Sequence, residues 1–265
     1  MDHAAAVWES LSELRRTAPL VHNITNYVAM DVTANALLAI GASPAMVHAE
    51  AEVEEFVGIA SALVVNIGTL SPSWVSAMTL AVERARSLGK PWVLDPVGAG
   101  ATRYRTDVAG DLARRRPAVL RGNASEVMAV AGAAAATKGV DSVHDSRDAV
   151  QLARSLAAEL GCVVAVTGAI DYVTDGERVL SVANGHPMMT MVTALGCTAS
   201  ALVGAFLAVR PDPLLAAAHA LGVLGLAGER AARHVHGPGS FRWRLLDALH
   251  QLDEPLIREG IRIEG

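Results

Sequence analysis

Apolar runs of strand length alternate along the chain with longer stretches whose apolar residues recur at helical spacing. The runs Pro19–His22, Ala62–Ile67, Pro91–Pro96, Ala118–Arg121 and Cys162–Thr167 are nearly continuous in apolar character. That is the pattern of parallel strands buried on both faces. Helical patterns fill Tyr27–Ile40, Pro72–Leu88, Ser125–Ala131 and Ser146–Leu160, and Gly41, Gly89 and Gly161 supply stop signals. The first sixteen residues, M-D-H-A-A-A-V-W-E-S-L-S-E-L-R-R, read as an amphipathic helix. Further on, Asp175-Gly176 stands between alternating residues in Y-V-T-D-G-E-R-V-L-S-V, a hairpin signal. Helices over Cys197–Val209, Pro213–His234 and Phe241–Leu252 finish the chain. Alternation of this kind predicts a three-layer α/β/α domain around a mainly parallel sheet. With no repeat, low-complexity tract or linker, residues 1–265 read as one domain.

Composition supports a buried core: 52 % of residues are hydrophobic and 18 % charged. Abundant Ala and Gly with only 4 % aromatics suit helices packed closely on a sheet. A net charge of −5 and a pI near 6.0 argue against a nucleic-acid partner. Arg114–Arg116, the one basic run, reads as a solvated helix end. No apolar run is expected to reach the roughly 18 residues that span a bilayer, and the N-terminus lacks the order of a signal peptide. Cys162 and Cys197 are too few for a disulfide framework, so a reducing cytoplasm is expected.

Polar residues and glycines gather where the strands end: His22-Asn23, Asn66 to Thr69, Asp95 to Gly98, Arg121 to Asn123 and Thr167-Gly168. In open α/β sheets ligands collect outside the carboxyl ends of strands, so five such ends locate a site edge. Asp95 can hold Mg²⁺ through water, orient a hydroxyl, or simply close a turn. Asn123 and Glu126 have capping-box spacing, and Glu126 can alternatively face a metal bound to phosphate. Thr167-Gly168 offers a hydroxyl and open backbone to a phosphate, or is a plain strand exit. The run Gly98-Ala99-Gly100-Ala101 only loosely matches a dinucleotide fingerprint and has no acidic ribose partner downstream.

Thr193 to Gly196 is turn-prone and leads Cys197 into the first turn of a helix. Free backbone N–H groups and a positive macrodipole suit an anion there, and the same field is expected to lower the thiol pKa. Cys197 is then a small core residue or a thiol beside a bound anion. The nine histidines, His186, His234 and His236 among them, form no metal-ligand pattern. G-x-S-x-G, H-E-x-x-H and G-x-x-x-x-G-K-[ST] are absent, which removes the simplest hydrolase, zincin and P-loop readings.

Taken together, the segments resemble the hydroxyethylthiazole kinase family, ribokinase-like enzymes of thiamine salvage. The resemblance is carried by P-L-V-H-N-I-T-N-Y-V at 19–28, A-N-A-L-L-A-I-G-A-S-P-A-M at 34–46, L-V-V-N-I-G-T-L at 63–70 and P-W-V-L-D-P-V-G-A-G-A-T at 91–102. It continues through R-G-N-A-S-E at 121–126, A-V-T-G at 165–168 and T-A-L-G-C at 193–197. It implies ATP-dependent, Mg²⁺-assisted phosphorylation of the primary alcohol of 4-methyl-5-(2-hydroxyethyl)thiazole, in a homotrimer with sites between subunits. It assigns Asn23 and Met46 to the thiazole, Arg121 and Thr167 to ATP, and Asp95 and Glu126 to metal and phosphate. Cys197 falls beside the reacting hydroxyl, with backbone N–H groups of residues 195–197, Gly196 among them, as the anion hole. Family members usually carry T-G-T-G-C or similar; here Ala194 replaces a glycine of the substrate pocket and Leu195 is bulky. If position 194 needs a positive φ, alanine is strained there. Rival readings are a hydroxymethylpyrimidine-type kinase, an ATP-dependent lyase repairing hydrated nicotinamide cofactors, and a non-catalytic thiazole-binding homologue.

Overall fold

A computed structural model describes residues 2–134, 146–233 and 235–265. One nine-stranded sheet organises it, with strands β1 (Leu20–Ile24), β2 (Ser43–Ala45), β3 (Ala62–Asn66), β4 (Trp92–Asp95) and β5 (Val119–Asn123), then β6 (Val163–Thr167), β7 (Asp171–Thr174), β8 (Val179–Val182) and β9 (Ile263–Glu264). Their order is β2-β1-β3-β4-β5-β6-β7-β8-β9. Pairing is parallel from β2 through β6 and antiparallel from β6 to β9. The helices are α1 (His3–Thr17), α2 (Met30–Ile40), α3 (Val53–Ile59), α4 (Pro72–Ser87), α5 (Arg103–Ala113) and α6 (Ala124–Ala134). They continue as α7 (Ser146–Leu160), α8 (Leu195–Leu207), α9 (Pro213–Ala232), α10 (Pro238–Gln251) and α11 (Glu254–Gly260).

Strand alternation divides the core. Val21, Val64, Val93, Val119 and Val163 face α1, α2, α8, α9 and α10. Ile24, Leu63, Val65, Leu94, Leu120 and Val164 face α3 to α7. The expected three-layer α/β/α architecture with a mainly parallel sheet is therefore present. Local chemistry fixes the helix ends. Ser71 and Asp212 cap α4 and α9 through their side chains, each followed by Pro in the first turn. Gly41, Gly89 and Gly161 follow helix ends with φ of +98°, +64° and +63°.

Several elements escape the sequence pattern. Strand β2, only three residues with Pro44 in the middle, is an edge strand inside what reads as a turn. Helices α3 and α11 and strand β9 are short, and the 11-residue α5 is polar. Predicted starts also shift: α2 begins at Met30 and not Tyr27, because Asn26 builds a turn first. The expectation that no apolar run is long enough for a membrane fails for α9, which qualifies by length and composition. Sixteen of its 20 residues are buried against the rest of the protein, as a core helix requires. The Asp175-Gly176 hairpin forms as expected, with Thr174 opposite Val179.

Candidate active site

Register places the polar residues before any side-chain packing does. Asn66 lies beside Asp95, and Leu94 beside Leu120, so that Asn66, Asp95 and Arg121 stand in one row on β3, β4 and β5. They share the face that carries Val64, Val93 and Val119, the face covered by α8. Thr167 lies two positions further along on β6, opposite Asn123. The row is tightly linked. Asp95 Oδ2 accepts the Asn66 amide at 2.7 Å and the Ser200 hydroxyl at 2.8 Å. Arg121 Nη1 stands 4.0 Å from Asp95 Oδ1, and its Nη2 donates to Thr167 Oγ1 at 2.6 Å.

The start of α8 lies across this row. Eleven of its 13 residues are buried, so the helix is fixed by core packing and its N-terminus is carried to the strand ends. Gly204 permits the approach: a Cβ there would meet Val64 Cγ2 at 2.6 Å. Ala194 caps the helix in the left-handed conformation, φ +66°, ψ +7°, and offers no side-chain acceptor. The first backbone N–H groups of a helix have no internal partner, so those of Leu195, Gly196 and Cys197 are available to an anion. Gly196 faces Arg121, whose Nη1 lies 2.8 Å from where a Cβ would stand. Cys197 faces the other way, its Sγ accepting the Asn26 amide at 3.3 Å. The first turn of α8 therefore separates two sides of the site.

On the Arg121 side lies a cavity of about 640 Å³, lined by Arg121, Thr167, Gly168, Asp171, Gly196, Leu221 and Leu224. On the Cys197 side a chain of amides runs from Asn26 to Asn66 at 2.9 Å and from Asn66 to Asp95. Aromatic rings stand nearby: Tyr27 meets Trp74 edge-on at 5.2 Å and His48 meets the same indole at 4.5 Å. Met46, half-buried, follows β2 directly.

Two expectations, for Asn23 and for the Cys197 thiol, differ from the structure, and Asn26 takes a place that the sequence did not mark. Asn23 is not brought to the row: it pairs with Val64, one pleat below Asn66, and donates to its own strand's Val21 carbonyl. Asn26 is the residue that reaches Cys197, and the sequence reading missed it because T-N-Y reads as the start of a helix. The Cys197 thiol is raised to about 11, not lowered: burial and then the Asp95 carboxylate outweigh the helix field. Glu126 completes the capping box. Its Oε2 accepts the Asn123 N–H at 2.9 Å while Asn123 Oδ1 accepts the Glu126 N–H at 2.9 Å. Its Oε1 also accepts the Gly98 N–H at 3.0 Å, which ties the β4–α5 loop to α6. The Gly98–Ala101 run is thus a turn held by Glu126 that leads into the Thr102 cap of α5, with the Gly100 N–H donating to Thr106 Oγ1 at 2.9 Å.

Burial raises Asp95 to about 6, only partly offset by Arg121 and Ser200. Its Oδ1 is buried without a hydrogen-bond partner. An unpaired carboxylate oxygen facing a cation, with Glu126 close enough to act on its charge, suits a hard divalent ion completed by waters and phosphate oxygens. Among the described residues no group of three His, Cys, Asp or Glu could hold a metal alone. His22 is a core residue bonded through Nε2 to the Val47 carbonyl at 2.8 Å, and His186 Nδ1 accepts the Met188 N–H. His234 lies outside the described residues.

The fold is ribokinase-like: it resembles that of a ribokinase-like superfamily protein of Enterococcus faecalis V583, with a TM-score of 0.64 at 13 % identity over 90 % of this chain and 88 % of that one. The Hydroxyethylthiazole kinase family model matches residues 11–255. A hydroxyethylthiazole kinase of Granulibacter bethesdensis is 56 % identical over 95 % of this chain and 92 % of its own length. The solved hydroxyethylthiazole kinase of Pyrococcus horikoshii OT3 superposes with a TM-score of 0.91 at 45 % identity, covering 98 % of both chains. The chain belongs to the hydroxyethylthiazole kinase family, and it is a kinase.

Proposed function

We propose that the chain, as one catalytic domain, transfers the γ-phosphoryl group of ATP to the primary alcohol of 4-methyl-5-(2-hydroxyethyl)thiazole, a thiamine-salvage reaction. The observation that carries the reading is the α8 start, with free N–H groups set between Arg121 and Asn26. Phosphoryl transfer through a loose transition state needs positioning and charge neutralisation more than a strong base. The N–H groups of residues 195–197 hold the transferring phosphoryl, as an anion hole does. Arg121 offsets phosphate charge, and Thr167 fixes the guanidinium through its 2.6 Å bond. Asp95, with Glu126, would hold Mg²⁺, which when bound supplies charge neutralisation to the phosphate oxygens.

Cys197 orients the alcohol. Asn66 donates to Asp95 and accepts from Asn26, and Asn26 spends its oxygen on the Ala29 N–H, so its amide hydrogens are presented to Asn66 and to Cys197 Sγ. The sulfur is thereby an acceptor, and at a pKa of about 11 it keeps its proton at neutral pH. The alcohol proton leaves only as the new P–O bond forms and the bond to ADP breaks, and it passes to an oxygen of the transferred phosphoryl group. Met46 and the nearby aromatic rings supply an apolar wall for the heterocycle; Ala194, as the cap of α8, sets where that helix enters the site. A homotrimer with shared sites and a reducing cytoplasm complete the proposal. The test is ADP release from Mg-ATP with the thiazole alcohol, a hydroxymethylpyrimidine and hydrated NADH. Release with the thiazole alcohol alone supports the reading; release with either other acceptor, or binding without release, overturns it.

A further inference from the structure

The cavity on the Arg121 side contains an acid that phosphoryl transfer does not use. Asp171 opens β7, lines the cavity, and spends one oxygen, Oδ1, on the Gly168 backbone N–H at 2.9 Å. Its other oxygen has no hydrogen-bond partner among the described residues. Burial raises this carboxyl to about 6, with the Gly168 N–H and Arg121 compensating only in part. A bare carboxylate in a cavity that receives a polyanion repels the phosphates unless the ligand also brings donors to meet it.

A nucleotide brings such donors at one place near its phosphates. The vicinal diol of the ribose presents two O–H groups, a pair that suits a carboxylate. With the phosphates at Gly196 and Arg121, Asp171 stands in the same cavity, bonded to Gly168 next to Thr167, which itself holds Arg121. Met189, Leu221 and Leu224 line the same cavity and form an apolar surface suited to a base ring. We propose that Asp171 accepts hydrogen bonds from the ribose hydroxyls of the donor nucleotide and makes the site select ribonucleotides. This rests on the kinase reading above, but its test needs no acceptor substrate.

Asp171→Asn keeps an oxygen for the Gly168 N–H and removes the charge, so the turn survives the change. Dissociation constants of ADP, 2′-deoxy-ADP and 3′-deoxy-ADP, with Mg²⁺, are measured by calorimetry for the wild type and this variant. The wild type should bind ADP tenfold or more tightly than at least one deoxy analogue, as expected for a hydrogen bond to a charged group. In Asp171→Asn that preference should fall to within about twofold, with the deoxy analogue bound at least as tightly as by the wild type, because the charge that repels the phosphates is gone. Equal wild-type affinity for all three, or an equal loss on all three in the variant, overturns the assignment. Retained ribose preference in a protein that releases no ADP with the thiazole alcohol would sink the acceptor assignment and leave this one standing.

Discussion

Ala194 offers a direct measurement of the strain held at the phosphate-binding end of α8. It caps the helix at φ +66°, ψ +7°, where a Cβ crowds the following carbonyl. That conformation costs an L-residue about 1–2 kcal/mol. Ala194→Gly removes the crowding, but glycine gives up about 0.5–1 kcal/mol more backbone entropy on folding. The difference is a net stabilisation of about 0.5–1 kcal/mol. A second route agrees, since glycine is better than alanine at an N-cap by about the same amount. Because the Thr198 N–H and hydroxyl both bond to the Ala194 carbonyl, at 2.9 and 3.0 Å, the backbone is held and the strain is not relieved by local movement. Urea unfolding monitored by circular dichroism should show the gain, and Tm should rise by about 1–4 °C for a chain of this size. Ala194→Val should lose more than 1 kcal/mol, since a β-branched residue is worse still in this region. If Ala194→Gly is neutral or destabilising while Ala194→Val is tolerated, position 194 is not left-handed and the argument is wrong.

Other outcomes test the same picture from different sides. Gly196→Val should abolish more turnover than Cys197→Ser, because its side chain enters the space of the Arg121 guanidinium, whereas the serine should stay within about 10²-fold of wild type; the reverse order of kcat values would show that the side chain at 197, not the backbone hole, dominates. Gly204→Ala should destabilise by about 1–3 kcal/mol, as over-packing does, since its Cβ meets Val64 Cγ2 at 2.6 Å; an unchanged denaturation midpoint refutes the close approach of α8 to β3. Burial lowers His219 to about 3, and the ring is bonded to Ser10 at 3.0 Å. A folded pKa below the unfolded one means stability falls as pH drops below about 6.5, by about 1.4 kcal/mol per unit until the folded pKa is reached. His219→Gln removes that slope, so its stability deficit at pH 7 should shrink by pH 5; a constant deficit would place a charged imidazole in the core.

How much could be read beforehand depended on whether the signal was local. The buried parallel strands announced themselves as apolar runs, and their polar ends marked the site edge, because a run and the residue that ends it are properties of neighbouring residues. Asp95, Arg121 and Thr167 were legible for that reason. Asn26 was not: it acts from a loop, through bonds to Asn66 and Cys197, which are 40 and 171 residues away in sequence. The thiol direction was misjudged because the helix field is a local property, whereas burial and the Asp95 charge come from the fold. Glu126 shows the opposite case, since the capping-box spacing visible in the sequence is realised in full.

The row formed by Asn66, Asp95 and Arg121 has a consequence beyond this reaction. Its members stand on adjacent strands, so their backbone spacing is the inter-strand repeat of about 4.8 Å. That interval is set by main-chain hydrogen bonds and is insensitive to which side chains occupy it. The sheet edge is in effect a ruler with fixed divisions, on which one mark can be rewritten without moving its neighbours.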